Sequence, residues 1–389
     1  MKSNLKIITL LSGIGSRLSD YDKKNPIKPL KKIFKKTIIE WSIKSYHAMI
    51  TNNLIKKEDL YFVILKDDEK KYLLSIKLKK IFGKKIKIIK LKKLTRGPAE
   101  SALIALKKIK LKNKKIIIND CDHYFNSNAL LNKVLEILKF NNFNQYCGII
   151  NTANTLTKKP EWSYLKFKKN KLIGIEEKDK KLAKLKSNGV VGSYFFFKSE
   201  TFVKEASQMI KENDLKNQDE FYISRVYDRL IKKNKKFLII NAPYAFPLGK
   251  PSQVINFKKF YLKNKNLIYP EPKSYLFDLD GVLVLHDKGY HGHDQRYTYP
   301  FKPIKNNISF LKKKYENGDK IFITTARAQA EYYQIVKNLN KSMIPFHKLI
   351  CDFSGGTRVI INDKKPNMKK YLSALAIETK RNDKINNNI

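Results

Sequence analysis

The stretch Leu11–Leu30, LSGIGSRLSDYDKKNPIKPL, decides how the first two thirds of the chain are interpreted. It continues the apolar run Ile7–Leu11, which is typical of a buried strand. The glycines of this stretch would let the backbone approach a phosphate and point its amides at it. Arg17 and Lys28 add positive charge that suits a triphosphate. The stretch therefore predicts a phosphate-binding loop at the end of a strand, in preference to a tight turn with two surface cations.

Two common phosphate loops are excluded by the spacing of the same residues. The glycines Gly13 and Gly15 are not followed by the third glycine of a dinucleotide-binding fingerprint. The stretch also lacks the Gly-Lys-Ser/Thr sequence of a P-loop. The lysine is framed instead by Pro26 and Pro29. A different class of nucleotide site is indicated.

The composition indicates a globular chain with an unusual charge. The chain has 389 residues, which favours two domains, and 42% of them are apolar. The formal net charge is +46, but only eight of the 81 basic residues are arginine. Specific nucleic-acid binders rely on arginine for forked contacts, so we expect no specific nucleic-acid partner. Acidic small molecules such as nucleotides and sugar phosphates would suit the positive electrostatic field of such a chain.

Cysteine spacing and hydropathy bear on the cellular location. The cysteines Cys121, Cys147 and Cys351 show no CxxC spacing, so neither a zinc site nor a disulfide framework is predicted. No stretch approaches the roughly 20 apolar residues of a membrane span, and the N-terminal sequence does not resemble a signal peptide. We expect a cytoplasmic protein without a membrane partner, and the sequence leaves its oligomeric state open.

Strand and helix patterns alternate through the first part of the chain, which predicts an α/β fold with a parallel sheet. From Ser163 to Phe197 the pattern changes to consecutive strands, and we expect an antiparallel insert over the nucleotide edge. Helices are predicted from Pro98 to Lys107, where the proline takes a favoured first-turn position, and from Asp219 to Lys232. The predicted organisation is a first domain at 1–260, a linker at 261–273, a second α/β domain at 274–378 and a flexible tail at 379–389.

The first domain resembles the sugar-phosphate nucleotidyltransferase family. The resemblance rests on the family's GxGxR loop, here Gly13–Arg17, and on its PKPL segment, here Pro26–Leu30. It implies a glycosyltransferase-A-like, Rossmann-like α/β fold. It also implies an enzyme that joins an NTP to a sugar or polyol phosphate and releases pyrophosphate. Arg17 and the loop amides would hold the triphosphate, and Lys28 would neutralise the α-phosphate during transfer.

The resemblance assigns further residues to the two substrates. The implied nucleotide-binding residues are Leu11, Ser12, Gly13, Gly15, Ser16 and Arg17 of the loop, and Gly97, Pro98 and Ala99, which would contact the nucleobase. The implied sugar-phosphate-binding residues are Glu177, Lys178, Gly192 and Glu220. Glu220 is open to a second interpretation as an acidic residue at a helix N-terminus.

Asp120 and Asp122 follow the apolar run Ile116–Ile118, where the family has a magnesium-binding acidic residue. Two residues apart on a strand, they would share a face, and carboxylate oxygens suit Mg²⁺ that bridges nucleotide phosphates. Asp122 matches the family pattern better than Asp120. The family's second metal-binding aspartate is missing, because Pro247 occupies its expected place. Either Asp122 carries most of the metal binding or another carboxylate substitutes.

A second site begins at the run Ser274–Asp280, SYLFDLD, which is followed by Gly281. Two carboxylates two residues apart at a strand end share a face. One carboxylate of the pair Asp278 and Asp280 can attack a phosphoryl group while the other handles protons. Between this motif and the next helix lies only the segment His286–Pro303, so no large cap domain is expected.

Together with two later strand-end motifs, this run resembles the haloacid-dehalogenase (HAD) superfamily of Mg²⁺-dependent phosphatases. The later motifs are Ile321–Arg327 and the predicted strand Val359–Ile361 with Asn362 and Asp363. The resemblance implies a small, minimally capped HAD-like α/β domain. Its implied residues are Asp278 as nucleophile, Asp280 as general acid/base, Thr325, Arg327 and Lys348 at the phosphate, and Asp278, Asp280 and Asp363 at Mg²⁺. The expected lysine is ambiguous, and Arg358 could substitute for Lys348.

These patterns predict a bifunctional enzyme. It would transfer a nucleotidyl group, with CTP favoured among NTPs, and its HAD-like domain would dephosphorylate. It would supply activated sugars for surface polysaccharide, an inference from family alone. Two alternatives stay open: a nucleic-acid end-processing phosphatase, and a binding or regulatory protein with two degenerate sites.

Overall fold

The apolar run at the start of the chain forms the central strand β1 (Leu5–Leu10), and five of its six side chains are buried. Alternate residues of a strand point to opposite faces of its sheet. Accordingly, Ile7 packs in one hydrophobic cluster with Ile117, and Ile8 packs in another with Ile116 and Ile118. Both faces of the sheet are therefore covered, as continuous apolar strands require.

The computed structural model describes residues 5–13, 15–18, 21, 22, 25, 27–140, 143, 145–155, 159–169, 171–184, 189–216, 218–263, 273–286, 301–362 and 374–385. The chain forms two units, Met1–Pro270 and Glu271–Ile389.

The first unit contains strands and helices in alternation, and their bounds follow. The further strands are β2 (Lys32–Ile33), β3 (Lys36–Thr37), β4 (Leu60–Leu65), β5 (Lys87–Leu91), β6 (Lys115–Asp120), β7 (His123–Phe125), β8 (Tyr146–Ala153), β9 (Ser163–Lys168), β10 (Lys171–Glu177), β11 (Gly189–Phe196), β12 (Lys236–Ala242) and β13 (Ala245–Pro247). The helices are α1 (Ile38–Lys44), α2 (His47–Thr51), α3 (Lys66–Tyr72), α4 (Leu74–Phe82), α5 (Pro98–Ile109), α6 (Asn128–Phe140), α7 (Lys180–Lys184), α8 (Ser199–Lys211), α9 (Ile223–Lys232) and α10 (Pro251–Lys263).

The main sheet has the strand order β10-β9-β11-β6-β1-β4-β5, and β8 pairs with both β11 and β12. Strands β6, β1, β4 and β5 run parallel to one another. The chain goes from β1 to one side of the sheet and returns to β6 on the other, with Leu10 level with Asp120. Such a reversal of strand order leaves a crevice at the carboxyl ends of the strands, where α/β folds bind ligands.

The antiparallel pairing predicted for residues 163–197 is confirmed, but the predicted insert over the nucleotide edge is wrong, because β11 belongs to the main sheet. It pairs antiparallel with β6 and with β8, and all eight of its residues are buried. A strand that is apolar on both faces needs cover on both faces, which an insert over one edge would not provide. Only β9 and β10 extend from it as an antiparallel edge.

The predicted linker also begins too early. Helix α10 continues through residues 261–263, and Tyr261 packs its ring 5.3 Å from Trp41 and 5.9 Å from Phe257. The aromatic contacts keep this last helical turn on the first unit. Residues 264–272 of the predicted linker lie outside the described residues.

The second unit has a parallel sheet in the order β14-β15-β16 among its described residues. Asp278, the last residue of β14, is level with Thr324, the last of β15. Its strands are β14 (Ser274–Asp278), β15 (Lys320–Thr324) and β16 (Lys348–Ile350), and its helices are α11 (Lys305–Glu316) and α12 (Tyr332–Lys341).

One prediction for the second unit is wrong. Residues 359–361 form no strand and are exposed, because a strand needs a neighbouring strand to supply hydrogen bonds. Within the segment predicted as a flexible tail, Asp383 and Ile385 bond to the buried amide of Asn307. Asp363 lies outside the described residues, as do residues 287–300 and 386–389.

Candidate active sites

The loop after β1 holds the predicted phosphate-binding residues at the sheet edge. Leu11 is buried, and its amide donates to the Val63 carbonyl at 2.8 Å. Gly15 has a φ of +68°, and a Cβ there would lie 2.8 Å from the Cβ of Lys28. Gly13 is exposed, with nothing within 4 Å of the place a Cβ would take. The loop therefore approaches Lys28 through one glycine and leaves open space at the other.

The predicted cation Lys28 meets the predicted carboxylate Asp122. Lys28 Nζ donates to Asp122 Oδ2 at 2.8 Å, although the residues are 94 positions apart. Their side chains are 14% and 16% exposed. Burial disfavours both charges, but their mutual attraction outweighs it, so the pKa of Lys28 is raised and the pKa of Asp122 is held well below its usual range. Both groups are therefore charged at neutral pH.

Asp120 is in a different electrostatic state. The prediction that the two carboxylates share a strand face is wrong, because strand β6 ends at Asp120 and Asp122 lies in the turn that follows. They meet instead at His123, whose Nδ1 lies 3.8 Å from Asp120 Oδ2 and 3.5 Å from Asp122 Oδ1. Burial raises the pKa of Asp120 to about 7, while Asp122 stays ionised. This difference agrees with the preference for Asp122 over Asp120.

Two glycines make room for these carboxylates. A Cβ on Gly192 would lie 2.4 Å from Asp120 Oδ2, and one on Gly249 would lie 2.6 Å from Asp122 Oδ2. Gly249 belongs to the segment in which the second aspartate is missing. Pro247 pairs with His123 across β13 and β7, so this segment does lie beside Asp122. It supplies backbone and no carboxylate.

A buried polar network underlies the turn that carries the carboxylates. The Tyr46 hydroxyl bonds to Asn119 Oδ1 and to Ser193 Oγ, each at 2.8 Å. Ser42 accepts from Asn119 Nδ2 at 2.9 Å and donates to the Asp120 carbonyl at 3.0 Å. Each partner is satisfied by another, so the network can hold the end of β6 in one position. These positioning residues carry no motif, and sequence reasoning did not identify them.

The predicted base-binding segment is joined to the phosphate loop by hydroxyl groups. Ser12 Oγ lies 2.9 Å from Ser101 Oγ, which lies 2.6 Å from Thr95 Oγ1. Pro98 occupies the first position of α5, as predicted from its helix-starting preference. Gly97 precedes it with a φ of +141°, and a Cβ there would lie 2.5 Å from the backbone nitrogen of Phe221. The backbone of Phe221 also bonds to Arg96 O and to the amide of Ala99, each at 2.9 Å.

We expect Gly97→Ala to lower the free energy of unfolding of the first unit by about 2–4 kcal/mol. The substitution adds a clash with backbone atoms to a conformation that only glycine adopts easily. Gly13→Ala is the matched control, and it should change stability by less than about 0.5 kcal/mol because its Cβ enters open space. Urea unfolding of both variants is the measurement. Equal losses in the two variants would contradict the predicted contact with Phe221.

The predicted sugar-phosphate residues are only partly brought together. Glu177 accepts from Ser163 Oγ at 2.5 Å and from Ser224, and burial raises its pKa. Exposed Lys178 donates to the Tyr222 hydroxyl at 2.8 Å. Gly192 lies against Asp120, whereas Glu220 is exposed and precedes the start of α9, so it is not a first-turn charge of that helix. The helix predicted from Asp219 begins at Ile223, as the extended backbone of Tyr222 shows.

A small cavity adjoins Glu177. It has a volume of about 30 Å³ and is lined by side chains that include Lys216, Tyr222, Ser224 and Arg225. Such a volume admits a water molecule but not a sugar.

The carboxylates of the first site would fit a magnesium ion that is also held by phosphate groups of a ligand. Mg²⁺ commonly takes one or two protein carboxylates and completes its ligands with water and substrate phosphates. Asp122, with Asp120 beside it, would supply that small set. No cluster of three or more His, Cys, Asp or Glu suited to a metal occurs within the described ranges, so the protein alone offers no complete cage. The bound ion would neutralise phosphate charge.

The second site lies at the carboxyl end of β14. Asp280 receives two bonds from Arg327, at 2.6 and 3.1 Å, and one from Thr325 Oγ1 at 3.1 Å. Asp278 Oδ1 accepts a hydrogen bond from Arg358 Nη2 at 3.1 Å. Burial raises the pKa of Asp278, although Arg358 opposes that rise. Four of the predicted residues therefore converge, and Arg358 joins them.

Lys348 does not reach this site. It is the exposed first residue of β16 and is level with Phe322, two positions before the strand end that faces Asp278. A strand rises about 3.3 Å per residue, so Lys348 starts well below the carboxyl edge. The structure thus favours the alternative in which Arg358 takes the place of the expected lysine. The predicted ligand Asp363 is outside the described residues.

Comparisons with known proteins give a fold likeness. No family model and no curated protein matches the chain. Among solved structures, the chain is similar to the inositol-1-phosphate CTP transferase from T. maritima, with 15% identity and a TM-score of 0.51, over 70% of this chain and 98% of that chain. It is also similar to a structure from Bacillus anthracis assigned as a glucose-1-phosphate thymidylyltransferase in complex with sucrose. That likeness has 16% identity and a TM-score of 0.50, over 66% of this chain and 94% of that chain.

These likenesses cover the N-terminal part of the chain and show its fold. The described helices include none with both the length and the apolar character that a bilayer crossing demands. The mixed α/β fold of the N-terminal part, with its mostly parallel central sheet, is the fold of solved sugar nucleotidyltransferase structures.

Proposed function

We propose that the first unit transfers a nucleotidyl group from an NTP to a sugar or polyol phosphate and releases pyrophosphate. The observation that carries the proposal is the ion pair between Lys28 and Asp122 at the carboxyl edge of β1 and β6. A transferase of this kind must balance the charge of a triphosphate while two substrates are aligned. The pair consists of one cation and one carboxylate that would bind the metal, and both lie where the Gly15 loop approaches Lys28.

The residues around this pair support a division of roles. The loop from Leu11 to Arg17 would hold the triphosphate, and Lys28 would leave Asp122 to neutralise the α-phosphate. Asp122 and Asp120 would then hold Mg²⁺ with the phosphates. The segment Gly97–Ala99, linked to Ser12 through Ser101, would meet the base. The acceptor would lie towards Gly192, next to Asp120.

The second unit is proposed as a Mg²⁺-dependent phosphatase of the HAD type. Asp278 and Asp280 lie at a strand end, and Thr325 follows the neighbouring parallel strand. In the proposed reaction the Asp278 carboxylate attacks phosphorus and the ester P–O bond breaks, while Asp280 gives a proton to the departing oxygen. Water then attacks the phosphorus of the aspartyl phosphate and returns a proton to Asp280, which releases phosphate and restores the Asp278 carboxylate. An enzyme with both activities would supply activated sugars for surface polysaccharide.

The test is a matrix of the four NTPs against sugar 1-phosphates and polyol phosphates, with Mg²⁺ and pyrophosphate release as the signal. We expect one acceptor class to respond, and CTP to give the fastest release. The T. maritima structure is named for CTP and inositol 1-phosphate, which supports including that pair. Silence across the matrix with folded protein would overturn the transferase proposal. A phosphomonoester panel run in parallel tests the phosphatase.

A further inference from the structure

The C-terminal segment Lys380–Ile385 contacts the loop that follows Asp278. The amide of Asn382 donates to the Gly281 carbonyl at 2.7 Å. The side chain of Asn382 accepts from the His286 amide at 2.6 Å and donates to the His286 carbonyl at 3.0 Å. Asn382 has a φ of +64°, a conformation that asparagine tolerates better than most residues. The segment is therefore paired with the carboxylate loop through both backbone and side-chain bonds.

A buried side chain anchors the other end of the segment. Asn307 is fully buried, and its Nδ2 donates to the Asp383 carbonyl at 2.8 Å and to the Val282 carbonyl at 2.7 Å. Its Oδ1 accepts from the Ile385 amide at 2.9 Å, and Ile385 packs against the hydrophobic core of the unit. Separating the segment from Asn307 would leave buried polar atoms without hydrogen-bond partners, which costs free energy. The position of the segment is thus fixed by the fold.

The contacts of this segment with Asn307, Gly281 and His286 bring Arg381 to the second site. A Cβ on Gly281 would lie 3.0 Å from Arg381 Cγ, so the two residues are in close contact. The charge of Arg381 acts on Asp278 and opposes the rise of its pKa. Among the described residues, no carboxylate forms an ion pair or hydrogen bond with the Arg381 guanidinium. The group is therefore close to the carboxylates and available to a ligand.

The placement of arginine in this chain is uneven. The chain has 81 basic residues, of which eight are arginine, and three of those eight surround one carboxylate pair. They come from three separate segments, as Arg327, Arg358 and Arg381. A guanidinium presents a fork of donors that matches a phosphate, which an ammonium does not. Arg327 pairs with Asp280 and lies 4.0 Å from Glu331, and Arg358 pairs with Asp278, so Arg381 is the guanidinium of the three without a carboxylate partner among the described residues.

We propose that Arg381 is a phosphate-binding residue of the second site, delivered by the docked segment Lys380–Ile385. The ligand class is a phosphomonoester whose dianionic group binds Arg381 close to Asp278, which Arg358 also contacts. This proposal rests on the phosphatase function proposed above, and it adds a residue that lies outside the three sequence motifs. The last part of the chain is then a wall of the site.

The test uses the full chain, with inorganic phosphate as the probe and the responsive phosphomonoester as substrate. The variants are Arg381→Gln, Arg381→Lys, Asn382→Ala and the control Lys384→Gln. The control removes one exposed positive charge from the same segment, so it accounts for the general field. Calorimetric affinity for phosphate, kcat and KM are measured, and thermal unfolding checks that each variant is folded.

We expect Arg381→Gln to weaken phosphate binding and to raise KM by about tenfold, with kcat changed by less than about twofold. Arg381→Lys should recover part of the loss. Asn382→Ala should weaken phosphate binding although Arg381 is retained, because the residue next to Arg381 loses its side-chain bonds to His286. Lys384→Gln should match the parent protein. If Arg381→Gln changed the affinity for phosphate no more than Lys384→Gln does, the proposal would be overturned.

Two outcomes separate this proposal from the phosphatase function. If the parent protein hydrolyses phosphomonoesters and Arg381→Gln keeps its KM and phosphate affinity, the arginine assignment is wrong and the phosphatase stands. If no ester is hydrolysed but phosphate binds and Arg381→Gln weakens it, the anion site stands and the phosphatase fails. A parent protein that neither binds phosphate nor hydrolyses esters would remove both.

Discussion

We expect Asp122→Asn to reduce pyrophosphate release by about 10²–10³-fold with the substrate pair that the matrix identifies. Asparagine keeps the shape of the side chain but removes the charge that binds Lys28 at 2.8 Å and would bind Mg²⁺. The carboxylate of Asp122 is ionised at neutral pH, because Lys28 holds its pKa well below the usual range. The substitution therefore removes a full charge from the centre of the site.

Two further variants give this result its meaning. Asp120→Asn should cost about tenfold or less, since burial already raises the pKa of Asp120 to about 7 and keeps part of it neutral. Asp67→Asn, an exposed substitution on α3, should leave the rate unchanged. Equal losses at Asp120 and Asp122 would contradict the assignment of Asp122 as the principal ligand. Unfolding curves should show that Asp122→Asn, Asp120→Asn and Asp67→Asn are all folded.

The second large effect is expected at Asp278. Asp278→Asn should lower phosphomonoester hydrolysis by more than about 10³-fold, because an amide cannot attack phosphorus in place of a carboxylate. Nucleotidyl transfer by the same preparation should stay within about twofold of the parent rate, since the Lys28–Asp122 site belongs to the first unit. The measurement follows phosphate and pyrophosphate release separately.

Asp319→Asn is the matched control for this prediction. Asp319 immediately precedes β15, at the end of the sheet opposite Asp278, where it accepts from the Lys273 amide at 3.0 Å. Its replacement should leave hydrolysis unchanged. Hydrolysis that survives in Asp278→Asn would point to a contaminating phosphatase or to a non-nucleophilic role for Asp278, and either result would refute the HAD-type assignment.

Local patterns predicted the elements that depend on nearby residues. Strand β1 and strand β6 follow from apolar runs, and α5 follows from helical periodicity that begins at Pro98. The same reasoning misplaced β11, because an apolar run does not reveal which strands it will join. It also predicted a strand at residues 359–361, where the described fold offers no partner.

The candidate sites show the same division at the level of single residues. Lys28 and Asp122 were predicted as separate contributors, but their direct contact across 94 positions depends on β1 lying next to β6. The rejection of Lys348 depends on the register of β16 against β15, which no motif encodes. Tyr46 and Asn119 lack any motif because their role is to hold a turn through buried hydrogen bonds.

By itself, the sequence determined the α/β class, the glycine loop before Lys28, and the acidic strand ends at Asp120 and Asp278. These features are written in periodicity and in short motifs, which act over a few residues. Only the tertiary structure decided that Lys28 binds Asp122, that Gly249 faces Asp122 without supplying a carboxylate, and that Arg381 returns to Gly281. The physical reason is that strand order and segment docking bring together residues that are distant in the chain. The free energy of those contacts depends on the whole packed core and not on any one stretch of sequence.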